Sequence, residues 1–454
     1  MSDKAKKILM VVGFIAIVVL LAFLIWYVFF RKPTITPTPS ITEGEGGAIV
    51  EGNLANLPIS TYGSGVTIVI DNSAYGTYGI SENLSNMTIE EIMEKYRNQD
   101  LKNVNEIETV PEKNTNIPLN VSDVANGGPT RTSIIALGNN VAPVISGNNL
   151  ISFNPDDGMF YKLNLDTNEK NPLTSDTFKG ASNIIWAPTN DKAVIEFPDG
   201  SNVVYDFNKD KQYVLPKDWY DFSFQKDGNK LAFMIDSNNY ENRWLAISNI
   251  DGSGLTGIEP LGNNADKVDV MYSPNEQMVA LSRTGEPIGM FQQSVLLIGL
   301  HGENFNDLKI EGRGYHPLWS PAGDKVVYDA YNQDTAYKPN IWVINATSDT
   351  AGIGSRSLGL NTWVSKCGFS SDGKLLYCAV PREMPEGAGM FPEMMDDAKI
   401  ADDIYVVNIY TGYKKLVAQP NIDVTISKVF LNSDNSILYY QEKDTGNIYS
   451  IKLK

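Results

Sequence analysis

Trp319-Ser-Pro-Ala-Gly-Asp-Lys-Val-Val-Tyr328, WSPAGDKVVY, is the stretch on which the fold turns. Its centre holds the residues that make a tight turn. Pro fixes φ near −65°, Gly accepts positive φ, and Asp and Ser bond back to their own backbone. Apolar and aromatic residues flank that turn on both sides, which is the composition of a β-hairpin. The unit recurs as WAPTNDKAVI (186–195), FQKDGNKLAF (224–233), YSPNEQMVAL (272–281), FSSDGKLLYC (369–378) and LNSDNSILYY (431–440). A second strand type follows at intervals: Phe160-Tyr-Lys-Leu-Asn164, Arg243-Trp-Leu-Ala-Ile247, Ile341-Trp-Val-Ile-Asn345, Ile404-Tyr-Val-Val-Asn408 and Ile448-Tyr-Ser-Ile-Lys452.

The lead aromatics of the hairpins are mostly 38 to 50 residues apart. A period of that length with three to four strands per repeat indicates the blades of a β-propeller and not a helical solenoid. Six repeats are clear. A seventh comes first, from Val144 to Leu173, with strands around Leu150-Ile-Ser-Phe153 and Met159 to Leu163. The expectation is an all-β propeller over 131–454 with seven blades, six being the alternative. The last repeat has three strands, and a propeller avoids a bare sheet edge. Arg131 to Gly138 is therefore expected to supply the outer strand of the last blade and close the ring.

The W-S-P-x-G-x-K hairpin and the Ile-Tyr/Trp-x-Val/Ile-Asn strand resemble those of the TolB-like β-propeller family, and less closely the propeller of dipeptidyl peptidase IV. The resemblance covers roughly the last 310 residues. It implies a propeller and little about function, because such folds host many activities. The segment 49–130 lacks the pattern of the α/β domain that precedes the TolB propeller, and no segment fits the hydrolase domain of the peptidase family.

Upstream, Ile8 to Phe30 is an unbroken apolar run of 23 residues. A helix of that length spans roughly 35 Å, enough for a bilayer core of about 30 Å. Residues 8–30 read as an uncleaved anchor: the run exceeds a signal h-region, and no small-residue cleavage site follows it. Lys4, Lys6 and Lys7 precede the span, against Arg31 and Lys32 after it. That places residues 1–7 in the cytoplasm and the large domain in the periplasm or outside the cell. Residues 31–48, rich in Pro, Thr and Gly, read as a linker. Residues 49–130 read as a small mixed segment packed on the propeller, with a strand at Gly65 to Asp71 and a helix opened by the capping box at Thr88 to Glu91.

The formal net charge is −17. Such acidity argues against a nucleic-acid partner. Two histidines, His301 and His316, and two cysteines allow no zinc spacing and make a Ser-His-Asp triad hard to assemble. His316, before Pro317, reads as a structural residue in a turn. No catalytic motif and no cofactor signature stands out. Cys367 and Cys378 sit opposite each other if Asp372-Gly373 centres their hairpin. A disulfide then stays open beside the default of two separate buried thiols.

Loop length is the informative asymmetry. The segment between a repeat's second and third strands is short in the first two repeats and in the last. It grows through Asp236 to Arg243, Arg283 to Ser294, Ala330 to Asn340 and Val380 to Asp403. Four adjacent blades are thus expected to raise a lip over one face, where long loops are often functional. The longest carries Met384, Met390, Phe391, Met394 and Met395, with Phe291 in a neighbouring loop. Adaptable Met-rich surfaces suit a protein or peptide partner, or the loop covers its own blade. Asp396, Asp397, Asp402 and Asp403 are weak candidates for a metal, lacking EF-hand spacing. The function expected is a membrane-anchored scaffold binding a protein, peptide or glycan. The alternatives are an enzyme with an acidic site at the channel mouth and an accessory of an envelope, secretion or pilus assembly.

Overall fold

The computed structural model describes residues 121–454, except 287 and 348, together with three upstream strands, Ile59–Tyr62, Gly65–Ile70 and Tyr78–Gly79. Those three strands pair into a small antiparallel sheet within a unit separate from the propeller. The apolar run 8–30, the linker 31–48 and the capped helix at 88–98 lie outside the described residues. Among the described residues no helix is long and apolar enough to cross a membrane.

Seven four-stranded antiparallel sheets form the propeller. Blades 1 to 6 span 141–172, 183–215, 219–260, 268–311, 313–357 and 367–420, each a meander in chain order. Blade 7 takes three strands from 426–452, and its fourth is Ser133–Ala136, paired antiparallel with Ile448–Lys452. The N-terminal strand thus closes the ring as the repeat count required. The chain engages the ring earlier than residue 131. Pro129–Thr130 adds a fifth, parallel strand to blade 6, and the Ala125 amide donates to the Lys452 carbonyl.

First strands touch between blades 1 and 2, 2 and 3, 3 and 4, 6 and 7, and 7 and 1, so they line the central channel. Each hydrophobic cluster lies between neighbours rather than within a blade. Phe153, Phe160, Phe178 and Tyr205 join blades 1 and 2, while Leu150, Leu163, Tyr439 and Ile448 join blades 1 and 7. The hairpin turn explains its own residues. Ser320 Oγ donates to Asp324 and receives the Lys325 amide, fixing the reversal. Gly323 has φ 70°, and a Cβ there would lie 2.6 Å from the Asn275 amide of the preceding blade. Only glycine allows that approach, and Asn275 Nδ2 uses it to donate to the Gly323 carbonyl.

Cys367 and Cys378 are directly opposed in the first hairpin of blade 6. They are joined as a disulfide, Cα to Cα 4.1 Å, where the sequence reading took separate thiols as its default. Spacing fixed the register; it contains no information on oxidation.

Candidate functional site

In an antiparallel meander the loops between second and third strands share one face with the blade-to-blade connections. On this face the loops of blades 4 to 7 are bonded into one wall. Arg313 donates to the carbonyls of Gly289 and Met290 in the blade 4 loop. Gly387 and Gly389 of the blade 6 loop donate to the carbonyls of Ala336 and Tyr337 in the blade 5 loop. Lys443 of blade 7 donates to the carbonyls of Met395 and Asp396. Ala336 and Tyr337 have φ of 51° and 56°, a left-handed pair that disfavours side-chain-bearing residues. The bonds from Gly387 and Gly389 hold that pair in place and set the Tyr337 ring 5.8 Å from Phe291.

The Met-rich segment divides. Met395 is buried under the short 3-10 turn Pro392–Met395, with Ala388 also buried, so these two anchor the loop instead of presenting it. Met384 and Phe291 are half-buried. Met390, Phe391 and Met394 stay 40%, 49% and 48% exposed, and Met290 of the blade 4 loop is 78% exposed. Loop length places the lip over blades 3 to 6, whereas the bonded wall runs over blades 4 to 7; its exposed apolar residues include Met290 and leave Met395 buried.

The four acidic metal candidates are not brought together. Asp402 and Asp403 alternate on the third strand of blade 6 and are committed elsewhere: Asp402 to Lys366 at 2.6 Å, Asp403 to Arg382 at 2.8 Å. Asp396 faces Lys443 at 3.7 Å. Among the described residues no group of three or more His, Cys, Asp or Glu side chains is placed to hold a metal ion.

Inside the lip, the channel mouth carries a feature that the sequence reading missed. Three residues before each lead aromatic stand Asn183, Asp221, Asp269, His316, Lys366 and, ahead of Leu431, Lys428. The repeat therefore sets a polar or charged side chain at one level of the channel in blades 2 to 7. Blades 3, 5 and 7 have a register shift at this level in the first strand. A β-bulge re-aims the side chain next to it. His316 accordingly lies on a strand, Arg313–Trp319, and not in a turn.

The ring is charged unevenly. Burial pushes the Asp221 carboxyl up to about 6, although the Val270 amide donates to it. Asp269 and Glu196 both push it upward as well, which marks an acidic arc across blades 2 to 4 centred on Asp221. Asp269 pairs with Arg283 at 3.4 Å. His316 Nδ1 meets Asp329 at 2.8 Å, and the hydrogen bond to that carboxylate raises the imidazole pKa. Asp329 is buried and also accepts the Val364 amide at 2.9 Å, whereas the imidazole is 63% exposed. A buried carboxylate that anchors one nitrogen and leaves the other toward solvent is the arrangement of an oriented acid–base histidine. On the far side, burial lowers the pKa of both Lys366 and Lys428. Among the described residues Lys428 reaches only the Pro143 carbonyl, at 3.3 Å.

Neither a protein-family model nor any curated protein matches the chain. Solved structures do. The propeller is similar to an oligogalacturonate lyase in complex with manganese, at 14% identity and TM-score 0.47, over 70% of this chain and 98% of that one. It is also similar to an oligogalacturonate lyase of Vibrio parahaemolyticus, at 11% identity and TM-score 0.48, over 71% and 93% of the two chains. TolB from Acinetobacter baumannii matches at 11% identity and TM-score 0.39, over 80% of each chain. All three are low-identity matches. Matches this remote carry no argument about family or activity.

Proposed function

We propose that this protein is a membrane-anchored scaffold, facing outward from the cytoplasm, that holds a segment of a partner protein on the lip of blades 4 to 6. One observation carries the reading. Loops from four neighbouring blades are cross-bonded into a wall whose crest keeps Met290, Met390, Phe391 and Met394 exposed. Exposed apolar groups on an ordered wall suit recognition, since a partner that covers them gains the burial without ordering the wall. The apolar run 8–30 supplies the anchor and the charge bias around it the orientation.

Crosslinking in cells followed by mass spectrometry tests this, comparing wild type with M290S/M390S/F391S/M394S. Those side chains are exposed, so the fold tolerates the change. Loss of specific crosslinks supports the scaffold; an unchanged set of partners sinks it.

A second reading, an enzyme at the channel mouth, is favoured by the His316–Asp329 pair. His316→Gln discriminates the two. It would abolish turnover of a candidate substrate under the enzyme reading and would leave lip-dependent crosslinks intact under the scaffold reading.

A further inference from the structure

Resting on that reading, we infer the chemistry of the partner: a basic, amphipathic segment, whose apolar face lies on the Met–Phe crest and whose lysines or arginines meet the carboxylates around it. Charge placement carries the inference. The loop 382–401 holds Glu383, Glu386, Glu393, Asp396 and Asp397 against Arg382 and Lys399. The two cations are already engaged. Arg382 bonds Asp403 and Asp423, and Lys399 faces Asp444 at 3.8 Å. Among the described residues Glu383, Glu386, Glu393 and Asp397 have no ion-pair partner, and all four are exposed. The apolar crest is thus edged by uncompensated negative charge.

Toward the channel the charge is mixed: Asp221 lies at the mouth, Asp269 is already paired with Arg283, and Lys366 and Lys428 stand on the far side, so the excess negative charge belongs to the loop. Glu442 lines a cavity of about 400 Å³ at the seam of blades 7 and 1 together with Lys443 and Asp444, whose charges are met by Asp396 and Lys399. An acidic segment would meet repulsion along the loop carboxylates, and a neutral one would leave them merely solvated. A basic amphipathic segment gains apolar burial and opposite charge together, and the methionines adapt to different side chains.

The test uses the full chain in phosphatidylcholine nanodiscs with empty nanodiscs as blank. The probes are two fluorescein-labelled synthetic amphipathic peptides, one leucine/lysine and one leucine/glutamate. The lysine peptide is expected to bind at least about tenfold more tightly. Its affinity should fall on raising salt from about 50 to about 300 mM, because exposed charges are screened. E383Q/E386Q/E393Q should weaken it by about tenfold, and E169Q/E276Q/D349N, the same charge change on the opposite face, should leave it within about twofold. Equal weakening by the two triple variants overturns the inference by showing attraction to net charge alone. If M290S/M390S/F391S/M394S weakens both peptides and the lysine peptide has no advantage, the charge inference fails while the lip reading stands. If that variant weakens neither, both fail.

Discussion

Blades 1 and 2 and blades 5 and 6 each share a buried apolar cluster at their junction, and the second junction adds buried polar ties. Between blades 1 and 2, Phe160 lies at the centre of an aromatic packing. Its ring is edge-on to Phe178, Trp186 and Phe207, with centroids 5.0 to 5.8 Å away. The loops above are short. Between blades 5 and 6, and from there to blade 7, buried carboxylates cross the junctions. Asp329 on blade 5 takes the Val364 amide ahead of blade 6, and Asp402 on blade 6 takes the Ile426 amide of blade 7 at 2.6 Å. The half that bears the lip and the histidine uses polar ties, which fix geometry at a desolvation cost. Equivalent positions in a repeat protein are free to diverge because each repeat contacts only its neighbours.

The sharpest way to break this contrast is to remove the central group on each side. Phe160→Ala should cost about 3–5 kcal/mol in urea unfolding, independent of pH. Lys366→Met should cost a similar amount, about 3–5 kcal/mol near neutral pH, by leaving Asp402 charged, buried and unpaired. The pH signatures differ. Burial already raises the Asp402 pKa. With Lys366 gone, the folded state takes up a proton on Asp402 more readily than the unfolded chain does, so the penalty is full at high pH. It fades as pH falls through the raised value. A pH-independent deficit in Lys366→Met would dissolve the distinction.

The next effect belongs to the disulfide of blade 6. C367S/C378S should lose about 2–3 kcal/mol, and wild type in reductant should approach it, because the bond closes a short loop of the unfolded chain. Equal melting temperatures with and without reductant would rule this out. The smallest effect is at the mouth. Asp221 is accessible from the channel, and its pKa of about 6 lies above the ordinary carboxylate value. The folded protein therefore binds that proton more tightly than the unfolded chain. The cost of ionisation is absent below about pH 4 and grows as pH rises through about 6. Asp221→Asn should stabilise by about 1 kcal/mol at pH 7, after allowance for solvent screening, and change nothing below pH 4. A constant gain across that range would assign the effect to something other than ionisation.

Much of the architecture was legible because it is local. Each hairpin announces its turn through Pro, Asp and Gly, and a repeat of such turns leaves one topology. Closure by residues 133–136 followed from counting strands. The register of Cys367 and Cys378 followed from the turn centre. The site was harder. His316 read as an isolated residue before a proline, because its meaning lies in a column: three places ahead of every lead aromatic the repeats place Asn, Asp, Asp, His, Lys and Lys. Alignment on the aromatics displays it, whereas motif spacing within one repeat does not. Met395 and Met394 are neighbours of the same type, and only the 3-10 turn decides which of them faces inward.

The closing strand has a consequence for how the protein is made. Ser133–Ala136 leaves the ribosome early and waits for Ile448–Lys452, more than 300 residues later, before either has its partner. Blades 1 to 6 can form while synthesis proceeds, but the ring cannot be sealed until that distant strand has emerged. A chain cut ahead of Ile448 would leave its last blade open at its edge. Such an edge is a template for pairing with other chains, so a product cut ahead of the seam would be prone to aggregate.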